Sequence, residues 1–236
     1  VSLALKDSSI VDIFWGLGFV IVALTYAAQA APETGRRILV VALVTAWGVR
    51  LAAHLARRNL GKGEDYRYAA WRVQYGSSWW WYSFFHVFAL QGVILWVVSA
   101  PLLAAMSPDA APVFTLWDIL GLVVWGVGFF FEAVGDYQLA AFKANPTNKG
   151  KVLNTGLWRY TRHPNYFGDA TQWWGFYLIA LGAGGWWTVF SPLFMTYLLL
   201  KVSGVAMLER NLKERRPEYA EYIRKTSAFI PMPPKK

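Results

Sequence analysis

The chain is predicted to be all-α, a polytopic membrane helix bundle with about six transmembrane helices. Three observations predict this. Its 236 residues are 56% hydrophobic and only 16% charged, against roughly a quarter charged in a soluble domain. Apolar runs of about the 20 residues that a bilayer requires recur along it. Its Lys and Arg, which give a net charge of +9, gather into alternate connections between those runs.

The first run, Ile10–Ala28, holds one acid, Asp12. It is long for a signal-peptide core and is expected to be a retained span. The second is Ile38–Ala56. The third, Trp79–Ala105, is long enough to tilt. The fourth is Leu116–Gly135, the fifth is the short Phe167–Gly182, and the sixth is Trp186–Val205. Repeats and low-complexity segments are missing, so residues 1–236 are expected to form one integral-membrane domain.

Charge orients these spans. Arg57, Arg58, Lys62, Arg67 and Arg72 lie between the second and third. Lys143, Lys149, Lys151, Arg159 and Arg162 lie between the fourth and fifth, and a third basic set runs from Lys201 to the end. With an even number of spans all three share a side with Lys6, opposite Arg36 and Arg37. The positive-inside rule makes that side cytoplasmic, with both termini on it. The net charge is then explained by topology and membrane lipid headgroups, and no nucleic-acid partner is expected. The absence of Cys excludes thiolate zinc and iron–sulfur clusters. Three separated His exclude a His-box metal centre, so no metal is expected.

Polar groups inside the spans are costly and normally face the protein interior. Trp47, Arg50, His54 and Arg57 form one stripe at helical spacing. His86 lies about two turns into the third span, and Gln91 near its middle. Glu132 and Asp136 share a face at the inner end of the fourth. Asn165, Asp169, Gln172 and Trp173 share one at the start of the fifth. Together they are expected to line a cavity open to the cytoplasm. The structural alternative is that Arg50 pairs with Glu132 or Asp136, and that His54 and His86 are hydrogen-bonded packing residues.

The connection Lys143–Tyr166 mixes basic residues with Asn, Thr and aromatics, and is broken by Pro146, Gly150 and Gly156. Arg and Lys suit phosphate oxygens. Pro164 fits a helix start, whose N-terminus favours an anion. An amphipathic loop on anionic lipid is the alternative. The tail has a charged stretch from Glu209, then Tyr219 and Tyr222 on one helical face, then Phe229-Ile-Pro-Met-Pro-Pro.

The stretch Gly156-Leu-Trp-Arg-Tyr-Thr-Arg-His-Pro-Asn-Tyr-Phe-Gly-Asp169 resembles the signature of the steroid 5-alpha-reductase and sterol reductase superfamily. The tail pattern Glu209…Tyr219…Tyr222…Pro231 is similar as well. Gly61-Lys-Gly-Glu-Asp-Tyr-Arg-Tyr68 resembles an uncharacterised bacterial branch of it. The Arg-His-Pro core is shared with isoprenylcysteine carboxyl methyltransferases. The resemblance implies a helix bundle in the bacterial inner membrane. NADPH would enter from the cytoplasmic side, bound mainly by residues 132–236. By position it implies that Asp136, Asn165, Tyr166 and Asp169 hydrogen-bond the cofactor. Lys143, Arg159, Arg162 and His163 would form the basic and polar part of its pocket, with Trp173 as an aromatic neighbour. Arg216, Tyr219 and Tyr222 would close the pocket. Asp65, Arg67 and Tyr68 would join from the second cytoplasmic loop, with Arg50 from the second span. The superfamily's steroid reductases carry a Gln-Glu pair near the substrate carbonyl, and this chain has no Gln-Glu pair.

The implied chemistry is reduction of a carbon–carbon double bond in a lipophilic substrate: steroid-, sterol- or other lipid-like. A proton donor is required, and Glu132, Asp12, Tyr82, His86 and Tyr26 are candidates. Two alternatives remain. One is a methyltransferase using S-adenosylmethionine on a lipid or prenyl group. The other is an electron-transfer subunit with haem on His54 and His86. The loop from Lys143 to Arg162 has five basic residues and no acid, which favours NADPH over a sulfonium cofactor.

Overall fold

The computed structural model describes residues 2–29, 35–107, 110, 113–202, 204–205, 209 and 218–235. It is an all-α membrane bundle. The chain forms two compact units, Val1–Val113 and Phe114–Lys236. Among the described residues, four stretches are long and apolar enough to cross a bilayer: Ile10–Gln29, Gly35–Asn59, Tyr66–Val98 and Leu116–Ala144.

In the first unit, α1 (Ser2–Leu5) precedes the long α2 (Ile10–Gln29) and α3 (Gly35–Asn59). These last two cross at Gly16 and Gly48. A Cβ on Gly16 would lie 2.6 Å from the Gly48 carbonyl oxygen, and one on Gly48 would lie 2.5 Å from that of Gly16. Small residues let membrane helices approach to backbone contact, where dispersion replaces the missing hydrophobic drive. Phe19 and Trp47 fill the seam beside them, both buried, with rings 5.5 Å apart. Arg36, expected in a connection, lies instead inside the first turn of α3, 1% exposed, and donates to the Val113 carbonyl at 2.8 Å.

The third stretch is not one regular helix. It runs through α4 (Tyr66–Tyr75), a 3-10 turn at Gly76–Ser78, α5 (Trp79–Ser83), a π-helical turn at Phe84–Ala89 and α6 (Leu90–Val98). Its 33 residues extend about 50 Å at 1.5 Å per residue. That exceeds the roughly 30 Å hydrocarbon core, so the polar α4 lies beyond it. The expected third span continued to Ala105. The helix instead breaks at Ser99, ahead of Pro101, and α7 (Ala100–Ala105) restarts with that proline in its first turn.

The second unit is built on α8 (Leu116–Ala144) and α9 (Pro164–Gly182). A capping box starts α8: the Thr115 backbone N–H and hydroxyl donate to Asp118 Oδ2 at 2.7 and 2.9 Å. The helix runs nine residues past the expected end at Gly135. The two helices are antiparallel, joined by glycines at seven-residue intervals on both. A Cβ on Gly121 would sit 2.7 Å from the Gly175 carbonyl oxygen, and one on Gly128 would sit 2.6 Å from that of Gly168. One on Gly168 would meet the Glu132 backbone nitrogen at 2.4 Å. Two helical turns separate successive glycines, so they keep to one face.

Helix α9 has the length of a span. Asn165, Asp169 and Gln172 leave it less apolar than the four named above. The expected sixth span is broken into a 3-10 turn Trp186–Val189, α10 (Phe190–Tyr197) and a π-helical turn Leu198–Val202. The tail helix, Glu218–Lys225, follows.

Candidate functional site

The glycine seam of the second unit brings buried polar groups face to face. Where Gly128 meets Gly168, the next turn of α8 presents Glu132 and the next of α9 presents Gln172. Glu132 is 3% exposed and Gln172 0%. Gln172 Nε2 donates to Glu132 Oε2 at 2.5 Å and to the Gly168 carbonyl at 3.4 Å. One turn further, Asn165 Nδ2 donates to Asp136 Oδ1 at 3.0 Å. Asp169 and Trp173, on the same face of α9, are buried too. The amide oxygens of Gln172 and Asn165 are buried and receive no hydrogen bond. Such atoms are uncommon in folded proteins and mark places where a donor is wanted.

The basic loop is ordered against the end of α8. Gln138 Oε1 accepts from the Leu157 backbone N–H at 3.0 Å. Gly156 is required beside it: its φ is +60°, and a Cβ would reach the Gln138 amide at 2.5 Å. Buried Trp158 donates through Nε1 to the Gly135 carbonyl at 3.1 Å. Asn145 closes the first turn by accepting from the Thr147 N–H at 3.0 Å and its hydroxyl at 2.8 Å. Lys149, Lys151 and Arg159 are exposed on the loop surface, as is Lys143 in the last turn of α8.

Arg162 and His163 join loop to tail. Arg162 Nε donates to Glu209 Oε1 at 2.7 Å, and His163 Nε2 lies 3.3 Å from the same oxygen. The Arg162 guanidinium also donates to the Ile223 carbonyl at 3.1 Å and to that of Thr226, capping the tail helix. Burial raises a carboxyl's pKa, but the hydrogen bonds from His163 and Arg162, and their charge, outweigh it. They hold Glu209 down at about 2. Tyr222 donates to the Trp158 carbonyl, and its ring lies 5.7 Å from that of Tyr219. Burial, with Glu209 adding its charge, pushes the Tyr219 hydroxyl up to about 12; burial likewise raises Tyr222. Tyr166 stacks on His163 with centroids 5.6 Å apart. Arg216 lies outside the described residues.

The first unit holds a separate cluster. Arg67 donates from Nε to Asp65 Oδ1 at 2.8 Å, and its guanidinium is 4.0 Å from Asp12 Oδ2. Tyr68 donates to Asp12 Oδ1 at 3.4 Å. Beside it Arg72 donates to Glu64 from Nε and Nη2, at 2.9 and 2.8 Å, and Glu64 Oε1 accepts from the Ser8 N–H at 2.7 Å. Burial works against the charge of both acids, yet the arginine hydrogen bonds win, and Glu64 and Asp65 are lowered. Tyr82 is stacked between Tyr75 at 3.7 Å and His86 at 4.1 Å. Tyr26 shares a 3.1 Å hydrogen bond with Ser99. Arg50 and His54 are half-buried on α3 and Arg57 is exposed. No group of three or more metal-ligating side chains occurs among the described residues.

Gln172 was expected to line the cavity but was given no role there, and its bond to Glu132 needed the fold. Glu209 stood in the tail pattern with no partner assigned, because Arg162 and His163 are more than forty residues away in sequence.

The chain belongs to a family described as proteins of unknown function, DUF1295, whose model matches residues 1–226. It is similar to an uncharacterised protein of Schizosaccharomyces pombe, 28% identical over 98% of this chain and 74% of that one. A shorter match, 44% identical over 46 residues, is to a probable O-methyltransferase of Ustilaginoidea virens; it covers 20% of this chain and 16% of that one. No solved structure matches.

Proposed function

We propose that the chain is an NADPH-dependent membrane reductase of the steroid 5-alpha-reductase and sterol reductase type. In this reading it reduces a carbon–carbon double bond in a lipophilic substrate drawn from the bilayer. In this reading both termini and the cofactor site face the cytoplasm of a bacterial inner membrane, and the positive-inside rule supports that orientation.

The observation that carries this reading is the donor set of the second unit. Four exposed cations, Lys143 in the last turn of α8 and Lys149, Lys151 and Arg159 on the acid-free loop after it, suit the phosphates of a dinucleotide. The loop leads into a seam where two buried amide oxygens lack donors, on Asn165 and Gln172, and a carboxamide N–H is such a donor. This set of donors and acceptors supports NADPH as the cofactor. Asp136, Asn165, Tyr166 and Asp169 would hold it by hydrogen bonds, Trp173 would flank it, and Tyr219 and Tyr222 would close over it. NADPH when bound supplies a hydride. The chain's own part is to orient that reagent, exclude water and deliver a proton to the neighbouring carbon. Buried Glu132, held by Gln172 at 2.5 Å, is the candidate donor in this unit.

The fungal O-methyltransferase match favours a second reading, transfer of a methyl group from S-adenosylmethionine to a lipid. The loop's charge opposes it, because a sulfonium is repelled where phosphate is attracted. Titration of the purified protein with each cofactor separates the two. Binding of NADPH and not S-adenosylmethionine supports reduction, and the reverse overturns it.

A further inference from the structure

The end of the second unit is an extended strap laid along the loop. Pro231, Pro233 and Pro234 carry no backbone donor and keep the residues before them out of helix. Hydrogen bonds pin the strap along its length. The Arg162 N–H donates to the Ser227 carbonyl at 2.9 Å, and the Thr161 hydroxyl to that of Phe229 at 2.8 Å. The Met232 N–H donates to the Tyr160 carbonyl at 2.9 Å, and the Lys235 N–H to that of Lys225 at 2.8 Å.

Alternate residues of an extended chain face the same way. Phe229 and Pro231 are half-buried. Phe229 turns edge-on to Phe167 in the first turn of α9, with centroids 5.9 Å apart, and Phe167 meets Phe131 of α8 at 5.1 Å. The strap is therefore fixed where α9 begins, against the aromatic rings that join α9 to α8. Ile230 and Met232 face outward, 58% and 54% exposed, and Tyr160 is 44% exposed. They form an apolar ridge on a backbone that is already ordered.

Cations frame this ridge. From Tyr222 to Lys236 the sequence has Arg224, Lys225, Lys235 and Lys236 and no acid, and the loop from Lys143 to His163 has no acid either. Glu221, in the tail helix, is held by Lys225 at 2.8 Å, and Glu209 by Arg162 at 2.7 Å. Glu218 opens the tail helix, at the end away from Lys225. Arg224 and Lys235 are exposed.

We infer that the strap is an interfacial anchor for anionic lipid. Ile230, Met232 and Tyr160 enter the acyl boundary, while Arg224 and Lys235 reach the phosphate of an acidic headgroup. A ridge that is apolar at its crest and cationic at its flanks matches a surface that is anionic above and apolar beneath. The inference rests on the chain lying in a membrane and does not depend on the proposed cofactor.

The chain has no Cys, so Met232→Cys places a single environment-sensitive fluorophore on the ridge, and Ile230→Cys gives a second reporter. The full chain is placed in phosphatidylcholine nanodiscs, with a spin-labelled phosphatidylglycerol or a spin-labelled phosphatidylcholine as quencher. Both should quench the ridge label. Half-quenching should need at least about fivefold less of the anionic quencher, the equivalent of ~1 kcal/mol. Arg224→Gln with Lys235→Gln should erase that preference. A label at Ile21→Cys, an exposed position on α2, should be quenched equally by both lipids. A ridge label that neither lipid quenches means that protein, from this chain or a second copy, covers the ridge, and overturns the inference. Equal quenching by both lipids overturns it too, as does a preference that survives the double variant.

Discussion

Substituting Gly168 by Ala tests whether the glycine seam positions the candidate site. The added Cβ would lie 2.4 Å from the Glu132 backbone nitrogen and 2.5 Å from the Gly128 carbonyl oxygen. Both are backbone atoms that cannot rotate away, so α8 and α9 must part by about 1 Å to restore ordinary contact. The 2.5 Å bond from Gln172 to Glu132 would then stretch to the edge of hydrogen-bonding distance. Overpacking costs about 1–3 kcal/mol and a lost interhelical hydrogen bond in a membrane about 0.6 kcal/mol. The higher helix propensity of Ala returns about 1 kcal/mol. Gly126→Ala is the control. It lies on the same helix as Gly128, and a Cβ there meets nothing within 4 Å, so only the propensity gain remains. The two variants should differ in unfolding free energy by about 2–4 kcal/mol. Reversible unfolding in mixed micelles measures the difference. Equal stabilities to within about 0.5 kcal/mol would refute the seam as drawn.

Glu209→Gln should loosen the tail by at most about 3 kcal/mol, the equivalent of a pKa held at about 2 against an ordinary 4.5. Because the folded value is depressed, the stabilisation is complete above about pH 4.5 and is lost as pH falls toward 2. Hydrogen exchange over residues 218–227 should follow that window in the native protein, and be flat across it in Glu209→Gln. Tyr222→Phe removes the bond to the Trp158 carbonyl and should cost about 1 kcal/mol, read as faster tail exchange with the spans unaffected. Asn165→Ala and Asp169→Ala should each abolish NADPH binding while thermal unfolding of the bundle is retained; binding that survives both would remove these residues from the site.

Hydrophobic patterning made the first, second and fourth spans readable, since each is a long mostly apolar run; the third was expected at Trp79–Ala105 and lies instead at Tyr66–Val98. The end of α8 was misplaced because Glu132 to Lys143 is too polar to register as membrane, although nothing there stops a helix before Asn145. The sixth expected span was apolar enough on average. Its 3-10 and π turns arise from packing that composition does not carry. The seven-residue glycine ladders, Gly121-Gly128-Gly135 and Gly168-Gly175-Gly182, stood in the sequence as a period and were missed, though they explain why Glu132 meets Gln172. The pairing of Arg162 with Glu209 could not be read. A basic motif resembling a cofactor loop gave no sign that its guanidinium also caps a distant helix. Grouping of Asp12 with Arg67 and Tyr68 needed the fold, because fifty-five residues separate Asp12 from Arg67.

Titration calorimetry of the protein in nanodiscs, with NADPH, NADH and S-adenosylmethionine in turn, identifies the cofactor. Saturable binding of NADPH, tighter than NADH and with no heat from S-adenosylmethionine, is the predicted result. Saturable binding of S-adenosylmethionine with none of NADPH would contradict it.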